Sequence, residues 1–309
     1  MGRENKTLAH ERQLTITAQY LFIKDYRSKF SVTKMCIAMQ VSRSAFYEWF
    51  NRPPTKREQE DRLLAKKIKK LFFDSRRTFG HRRIKKKLKK IGIKCSNDRI
   101  RRLMKGLHLV PVQTNKFKAT TNSNHSLPVA PNLLKQDFNA DEPCQKWVGD
   151  ISYIATEEGW LYLAAIIDLF SRKVVGWALG ARMTKQLVID AMSQALRIEK
   201  PPEGLIFHSD RGSQYASYDY QDLLREHGIR QSMSAKGDCY DNACAESFFA
   251  TLKKELVHRR RFKTRSWAKL EIIDHILWYN SERIHSYLDD LSPLEYEQHY
   301  YNNMRLSAA

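Results

Sequence analysis

Residues 146–179 read KWVGDISYIATEEGWLYLAAIIDLFSRKVVGWAL, and this stretch decides the fold. It contains three runs rich in β-branched and aromatic residues, which are typical of strands, and a short turn joins the last two. Strands are predicted at 146–154, 161–168, 173–179, 204–208 and 229–233. Helices are predicted at 184–197, 218–227, 243–256 and from 264 to about 279. Three antiparallel strands followed by alternating helices and strands predict an α/β fold, a mixed five-stranded sheet with helices on both faces.

The first part of the chain is helical throughout and contains two helix-turn-helix candidates. Residues 31–50 predict two short helices with a break at 40–42, the second capped by Ser42. Residues 84–107 predict a second pair, with an apolar stripe at Ile84, Leu88 and Ile91 and a helix capped by Ser96. A helix pair with a tight turn is also a common structural unit, so DNA contact is an open alternative for each.

The charge of the chain favours a polyanionic partner. The formal net charge is +20 over 309 residues, and residues 76–105 hold 14 Lys or Arg against Asp98 alone. Such an excess indicates nucleic acid, with an acidic membrane surface as the competitor. No apolar stretch reaches the roughly 18 residues of a spanning helix, and the charged N-terminus lacks a signal core. We expect a soluble cytoplasmic protein that associates with the nucleoid.

A change in composition marks the domain boundary. Residues 112–132, VQTNKFKATTNSNHSLPVAPN, have the Thr, Asn, Ser and Pro content of a linker. The predicted order is a helical DNA-binding region, a linker, an α/β core, and a C-terminal helix with a tail, at 1–111, 112–140, 141–262 and 263–309. The five cysteines are scattered and form no Cys-x-x-Cys pair, so their spacing argues against a disulfide framework or a zinc site.

Two acidic residues lie where solvated surface charges are not expected. Asp150 lies inside the first strand, where a carboxylate facing a buried layer is costly unless a positive charge meets it. Asp210 directly follows the apolar strand GLIFH, at the carboxyl edge of the sheet, where ligands tend to bind. Asp168 ends a neighbouring strand, and we expect it to close a turn with Ser171 and Arg172.

A third acid lies in GDCYDNACAESFFATLKKEL, residues 237–256. The apolar side of its helix carries Ala245 and residues three and four positions on, which places Glu246 and Lys253 together at the rim. Asp238 is expected to be a loop charge and Asp241 a helix cap. Glu255 is on the far margin, where it is either solvated or paired.

Three carboxylates from two strands and a helix suit a two-metal phosphoryl-transfer site. Hard oxygen ligands favour Mg²⁺, and two such ions can activate an attacking hydroxyl and stabilise a leaving oxygen. The alternative is three unrelated acids in structural ion pairs.

Several ordered blocks resemble one family. They are RRTFGHRRIKKKL, NHSLPVAPNLL, WVGDISYI, HSDRGSQY, DNACAESFFATLKKE and YNSERIH, spread from about Phe30 to Tyr296. Together they resemble the OrfB-type DDE transposases of bacterial insertion sequences, whose catalytic core has the RNase H-like fold of retroviral integrases. The 35 residues between Asp210 and Glu246 fit that pattern.

The resemblance implies roles for individual residues. Asp150, Asp210 and Glu246 would be catalytic and would bind two Mg²⁺ ions, for which Mn²⁺ could substitute. Lys253 matches a basic residue expected to contact phosphate. The other residues expected to contact DNA are Lys254, Arg211, Arg82, Arg83, Lys86, Arg99 and Arg102. The residues expected to support the site are His208, Ser209, Gln214 and Asn242. For Asn280, Arg283 and His285, DNA contact and helix docking stay open.

The implied activity is cleavage of DNA at the ends of an insertion sequence followed by strand transfer. We expect two or more copies of the chain on paired double-stranded ends, with the product of an upstream reading frame, or a fusion to it, as a further partner. The absence of a His-x₃-His and Cys-x₂-Cys pattern disfavours retroviral integrase itself. Two alternatives stay open: an RNase H-like nuclease that only hydrolyses, and a DNA-binding regulator that no longer catalyses.

Overall fold

The computed structural model describes residues 15–112, 127–235 and 242–307. The chain divides into two compact units that meet in sequence at Lys66 and Lys67. The first unit has an apolar cluster of its own, and the second has one on each face of its sheet.

The first unit is a small helical bundle. Its helices are α1 (Ile16–Tyr26), α2 (Val32–Ala38) and α3 (Arg43–Asn51), and α4 (Lys56–Asp74) begins in it. The buried residues are Tyr20, Ile23, Met35, Cys36 and Phe46. The break predicted between α2 and α3 is present, with Gln40 at φ 55°, and the Ser42 side chain accepts a hydrogen bond from the Ala45 amide, as predicted.

The second helix pair lies in the larger unit. It consists of α5 (His81–Lys90) and α6 (Asn97–Gly106), and the Ser96 hydroxyl caps α6 by accepting from the Arg99 amide. Ile84 and Leu88 are fully buried, as the stripe predicted. Ile91 is 58% exposed, so its place in the stripe was wrong. It follows the last residue of α5, where the chain turns away at Gly92 with φ 78°.

The sheet confirms the predicted fold class. Its strands are β1 (Lys146–Thr156), β2 (Gly159–Asp168), β3 (Val174–Gly180), β4 (Ile206–Ser209) and β5 (Arg230–Met233). They lie in the order β3-β2-β1-β4-β5. The pairs β1–β2 and β2–β3 are antiparallel, whereas β4 runs parallel to both β1 and β5. The central strand β1 therefore joins the antiparallel and parallel halves.

Helices cover both faces of this sheet. One face packs on α7 (Lys185–Glu199) and α8 (Tyr218–Glu226), and the other on α9 (Ala243–Glu255) and α10 (Arg265–Ser281). Neighbouring residues of β1 alternate between the two cores, since Trp147 packs with α7 and Val148 with α9. Asp150 is two residues after Val148 and therefore belongs to the α9 face.

The C-terminal residues differ from the predicted tail. They form a further helix, α11 (Pro293–Ser307), in which Pro293 and Glu297 are buried. None of the helices within the described ranges is long and apolar enough to cross a membrane.

Candidate active site

Two of the three predicted carboxylates meet where β1 and β4 run side by side. The parallel register pairs Trp147 with Phe207 and Val148 with His208. Continuing it by two residues pairs Asp150 with Asp210, directly after β4 ends. Paired residues of adjacent strands point to the same face of a sheet, so these two carboxylates lie next to each other.

The third carboxylate comes from the first turn of α9. The apolar side of α9 is buried as predicted, and its buried residues are Ala245, Phe248, Phe249, Leu252 and Leu256. Glu246 is exposed beside this face. The start of α9 is tied to β1, because the Asn242 side-chain amide donates to the Gly149 carbonyl at 3.2 Å. Asn242 thus fixes the helix that carries Glu246 against the strand that carries Asp150.

The charges at this point repel one another. Burial raises the pKa of Asp150 to about 8, and the negative charge of Asp210, then that of Glu246, adds to the rise. The Ile151 amide, which donates to the Asp150 carboxylate at 2.7 Å, and the charge of Lys253 act in the opposite direction. Burial also raises the pKa of Glu246. A cation bound here would relieve this repulsion.

The donor set fits a hard divalent cation. Asp150, Asp210 and Glu246 offer only carboxylate oxygens, which Mg²⁺ prefers. Across residues 15–112, 127–235 and 242–307, no three His, Cys, Asp or Glu side chains stand close enough together to hold one ion. The exposed Glu246 side chain therefore does not complete a three-ligand set with Asp150 and Asp210 in this structure.

Lys253 lies inside the site rather than on its surface. It is 6% exposed, and its ammonium nitrogen lies 4.8 Å from the ring centroid of Tyr153 on β1. Burial lowers the pKa of Lys253, and the charge of Asp150 raises it. The spacing of seven residues after Glu246 predicted Lys253 at the rim, whereas the structure buries it, and the sequence did not reveal the nearby aromatic ring.

The residues around Asp210 mainly order the loop that follows β4. The Asp210 carboxylate accepts from the Gly212 amide at 2.9 Å. His208 is buried, and its two ring nitrogens lie 2.8 and 3.2 Å from the hydroxyls of Ser232 and Ser234. The Ser209 hydroxyl donates to the Asp210 carbonyl. These contacts hold the backbone behind Asp210.

Two longer side chains bracket the same loop. The Arg211 side chain donates to the Ser234 carbonyl at 2.7 Å. The Gln214 amide donates to the Met183 carbonyl at 3.2 Å. Both side chains are therefore engaged within the chain. DNA contact by Arg211 and support of the site by Gln214 stay predictions.

Asp168 has the structural role that the sequence predicted. Its carboxylate is 1% exposed and accepts from the amides of Phe170 and Ser171, each at 2.9 Å. It also accepts from the Cys144 amide at 2.8 Å and the Trp147 indole at 3.1 Å. The Asp168 backbone carbonyl also accepts from the Arg172 amide, and this bond closes the turn after β2.

The C-terminal block docks helices onto the core. The Asn280 amide bonds both backbone groups of Val174 on β3, each at 2.9 Å. The Arg283 guanidinium forms a buried ion pair with Glu255 of α9 at 3.1 Å and lies over the Tyr279 ring. The His285 ring packs edge-on against Tyr279, and its Nε2 lies 3.2 Å from the Arg283 guanidinium. For Asn280 and Arg283 the structure thus favours docking, and Glu255 is paired rather than solvated.

One predicted DNA contact on α5 and two neighbouring lysines face another part of the larger unit. Lys86 pairs with Asp290, which engages one of the predicted residues. Two lysines that were not singled out also pair with the C-terminal segment, Lys87 with Glu282 at 3.6 Å and Lys90 with Glu295 at 3.0 Å.

The remaining predicted contacts have different surroundings. Arg82 and Arg102 are exposed, whereas Arg83, Arg99 and Lys254 are partly buried. Arg83 lines a cavity with Arg172, Arg283 and His285. Asp238 and Asp241 lie outside the described residues. For the four arginines and Lys254, DNA contact stays a prediction.

Three family models match the chain. An HTH-like domain matches residues 58–117, which include α5 and α6. Two models described as integrase core domain match residues 140–239 and 246–301. The first of these contains Asp150 and Asp210, and the second begins at Glu246.

Two solved viral structures are similar to part of this chain. The HTLV-2 integrase catalytic core domain in complex with magnesium aligns with a TM-score of 0.41 at 18% identity, over 52% of this chain and 99% of that one. A chain of the simian T-cell lymphotropic virus intasome in complex with PP2A regulatory subunit B56 gamma aligns with a TM-score of 0.45 at 15% identity, over 66% and 67%.

Relatives among bacterial proteins match over nearly the whole chain. The "Insertion element IS600 uncharacterized 31 kDa protein" of Shigella sonnei is 48% identical over 268 residues, covering 86% of this chain and 98% of the relative. The "Transposase InsF for insertion sequence IS3A" of Escherichia coli strain K12 is 41% identical over 282 residues, covering 90% and 98%. With these relatives and an HTH-like region before an integrase core, the chain belongs to the OrfB-type DDE transposases of bacterial insertion sequences.

Proposed function

We propose that this transposase cuts DNA at the ends of its insertion sequence and joins the freed ends to other DNA at one site formed by Asp150, Asp210 and Glu246. In the first step, water attacks a phosphodiester, and the bond to the 3′ oxygen breaks. In the second, the freed 3′-hydroxyl attacks another phosphodiester, forming a new bond and releasing a different 3′-hydroxyl. Neither step needs a covalent bond to the protein.

One juxtaposition carries this proposal. The register of β1 and β4 brings Asp150 beside Asp210, and the bond from Asn242 to Gly149 holds the start of α9, with Glu246, against the same strand. Two acids side by side and a third at the start of the helix held against them suit a shared divalent cation, which would offset their mutual repulsion.

Asp150, Asp210 and Glu246 would hold Mg²⁺. Divalent ions in such a set supply charge that activates the attacking oxygen and stabilises the leaving oxygen. The chain's own residues hold the rest of the site in place. Asn242 positions α9, the Gly212 amide orients the Asp210 carboxylate, and Lys253 keeps a buried positive charge beside Asp150 for the scissile phosphate.

The helical region would bind the element ends. A strongly basic segment in an HTH-like domain suits sequence-independent phosphate contact combined with groove reading by a helix. Two copies of the chain are needed in this scheme, because two DNA ends react together.

The variant Asp210→Asn tests the site. We expect it to lower strand joining by about 100-fold or more, because it removes a charge that stabilises the transition state, while DNA affinity is unchanged. The assay supplies a pre-cut duplex carrying the flanking inverted repeat, with Mg²⁺, and measures joined product and hydrolysed product separately.

The matched control is Asp222→Asn, since Asp222 is an exposed acid on α8 that pairs with Arg225. We expect the control to join DNA like the unchanged protein. Undiminished joining by Asp210→Asn would refute the site. Hydrolysis without joining by the unchanged protein would instead identify a nuclease.

A further inference from the structure

A cavity of about 330 Å³ in the larger unit lies apart from the carboxylate site. Its size is at the small end of the range for ligand pockets, about 300–1,000 Å³. Two basic segments that are far apart in the sequence meet there. One is the pair Arg76 and Arg77 after α4, and the other includes Arg259 and Arg260 after α9. The Arg259 guanidinium joins them by donating to the Arg76 carbonyl at 3.0 Å.

The positive charges in this cavity, called here the arginine pocket, are only partly neutralised. Arg76 pairs with Asp274 at 2.8 Å, and Arg260 pairs with Glu271. Within the described part of the chain, neither the Arg77 nor the Arg259 guanidinium forms an ion pair within 4 Å. The Glu255 carboxylate also lines the cavity and acts on Arg259, but it is paired with Arg283. Burial and the charge of Arg77 lower the pKa of Arg259. An anion between these two guanidiniums would relieve their repulsion.

A buried imidazole lies in the wall of the same cavity. His275 is 1% exposed, and its Nε2 finds no hydrogen-bond partner among the residues that the structure describes. Burial and the neighbouring arginines lower the pKa of His275 to about 3, so the ring is neutral. A buried ring nitrogen without a partner costs free energy unless a ligand or a water meets it.

The backbone also indicates that the arginines are there for their side chains. Arg76 and Arg77 have φ of 54° and 64°, in the left-handed region. The Arg77 amide donates to the Phe72 carbonyl at 2.9 Å, which is the bond that ends α4. Gly or Asn ordinarily occupies such a position, because a larger side chain is disfavoured there.

We propose that the arginine pocket binds a backbone phosphate of DNA, held between the guanidiniums of Arg77 and Arg259. The planar fork of arginine matches phosphate oxygens, and an open cavity lets the polymer pass on both sides of the bound group. This inference rests on the proposed function, because it assigns one contact of the same DNA. The pocket would fix DNA at the junction of the segment after α4 and the helices α9 and α10.

Two single variants and their combination test this proposal. Arg77→Asn removes the charge with a residue that tolerates left-handed backbone, and Arg259→Gln removes the second guanidinium. The measurement is the anisotropy of a labelled random-sequence DNA duplex over a range of salt concentrations, because a phosphate contact does not depend on sequence. The control is Arg197→Gln, an exposed arginine on α7, which covers the other face of the sheet.

Each single variant is expected to weaken DNA binding by about five- to tenfold and to lower the salt slope by about 1. Since both guanidiniums hold one phosphate, the double variant should lose less than the product of the single losses, and its salt slope should again fall by about 1. Thermal melting of each variant shows whether the fold is kept. Arg77→Asn is not expected to lower the melting temperature.

Two results would overturn the proposal. One is an affinity of both single variants no lower than that of Arg197→Gln. The other is a double variant whose loss equals the product of the single losses, because that would mean two independent contacts. Asp210→Asn separates this failure from that of the proposed function, since it tests joining and not binding.

Discussion

Asp150 and Asp168 are two carboxylates of the same sheet with opposite surroundings. Asp168 accepts five hydrogen bonds from Cys144, Trp147, Phe170 and Ser171, both the amide and the hydroxyl of the last. Asp150 accepts one from its neighbour Ile151 and faces the like charge of Asp210. The oxygens of Asp168 are satisfied by donors of the protein, whereas Asp150 accepts one hydrogen bond within the described residues and lies beside a second acid.

The largest effect is expected where the oxygens are satisfied. Asp168→Asn places an amide where five donors converge, so at least one donor loses its acceptor. We expect the free energy of unfolding to fall by about 3 kcal/mol, measured by urea unfolding. The exposed Asp222→Asn should change it by less than about 0.5 kcal/mol. Equal stability of the two variants would remove the contrast between Asp168 and a surface acid.

Two buried histidines show the same effect of burial on basic side chains. The pKa values of His275 and His285 are lowered to about 3 by burial and nearby arginines, so the native state keeps both rings neutral. The unfolded chain takes up these protons below about pH 6.5, so stability present above that pH is lost as the pH falls towards 3.

Each ring should contribute a loss of about 1.4 kcal/mol per pH unit in that window. Urea unfolding between about pH 7 and pH 5 measures the slope. His285→Gln should reduce this slope by the contribution of one ring. The exposed His227→Gln should leave the slope unchanged. A slope that neither variant changes would show that His285 does not titrate in this way.

The smallest effect on stability is expected at Asp150. Burial and the charge of Asp210 raise the pKa of Asp150, so without divalent ions keeping this carboxyl in the folded protein costs free energy at neutral pH. Asp150→Asn removes that cost and should raise the free energy of unfolding by up to about 1 kcal/mol. The same variant should fail to join DNA strands. Thermal melting in EDTA measures the first effect. A loss of stability like that of Asp168→Asn would show that Asp150 is structural.

Local patterns were enough to predict the strands and most helices from the sequence. Ser42 and Ser96 mark helix starts through their own hydroxyls, and the apolar spacing of α9 marks its buried face. The placing of Asp150 and Asp210 followed from the strands that carry them. These features depend on neighbours in the chain, which the sequence displays directly.

Features that depend on distant residues were not predictable. Glu255 forms an ion pair with Arg283, 28 residues further along the chain, and the Lys253 ammonium lies over a tyrosine ring of β1. The convergence of Arg77 with Arg259 spans 182 residues. The helix α11 was missed because its mixed polar sequence has a weak apolar pattern, and only the fold supplies the surface that buries Pro293 and Glu297.

Amide side chains cover the outer edge of strand β3 at two residues. Asn280 bonds the amide and carbonyl of Val174, and the Gln194 side chain accepts from the Trp177 amide at 2.6 Å. An uncovered edge strand would be a template for another chain. A second copy of the protein that added a strand to β3 would first have to displace both amides.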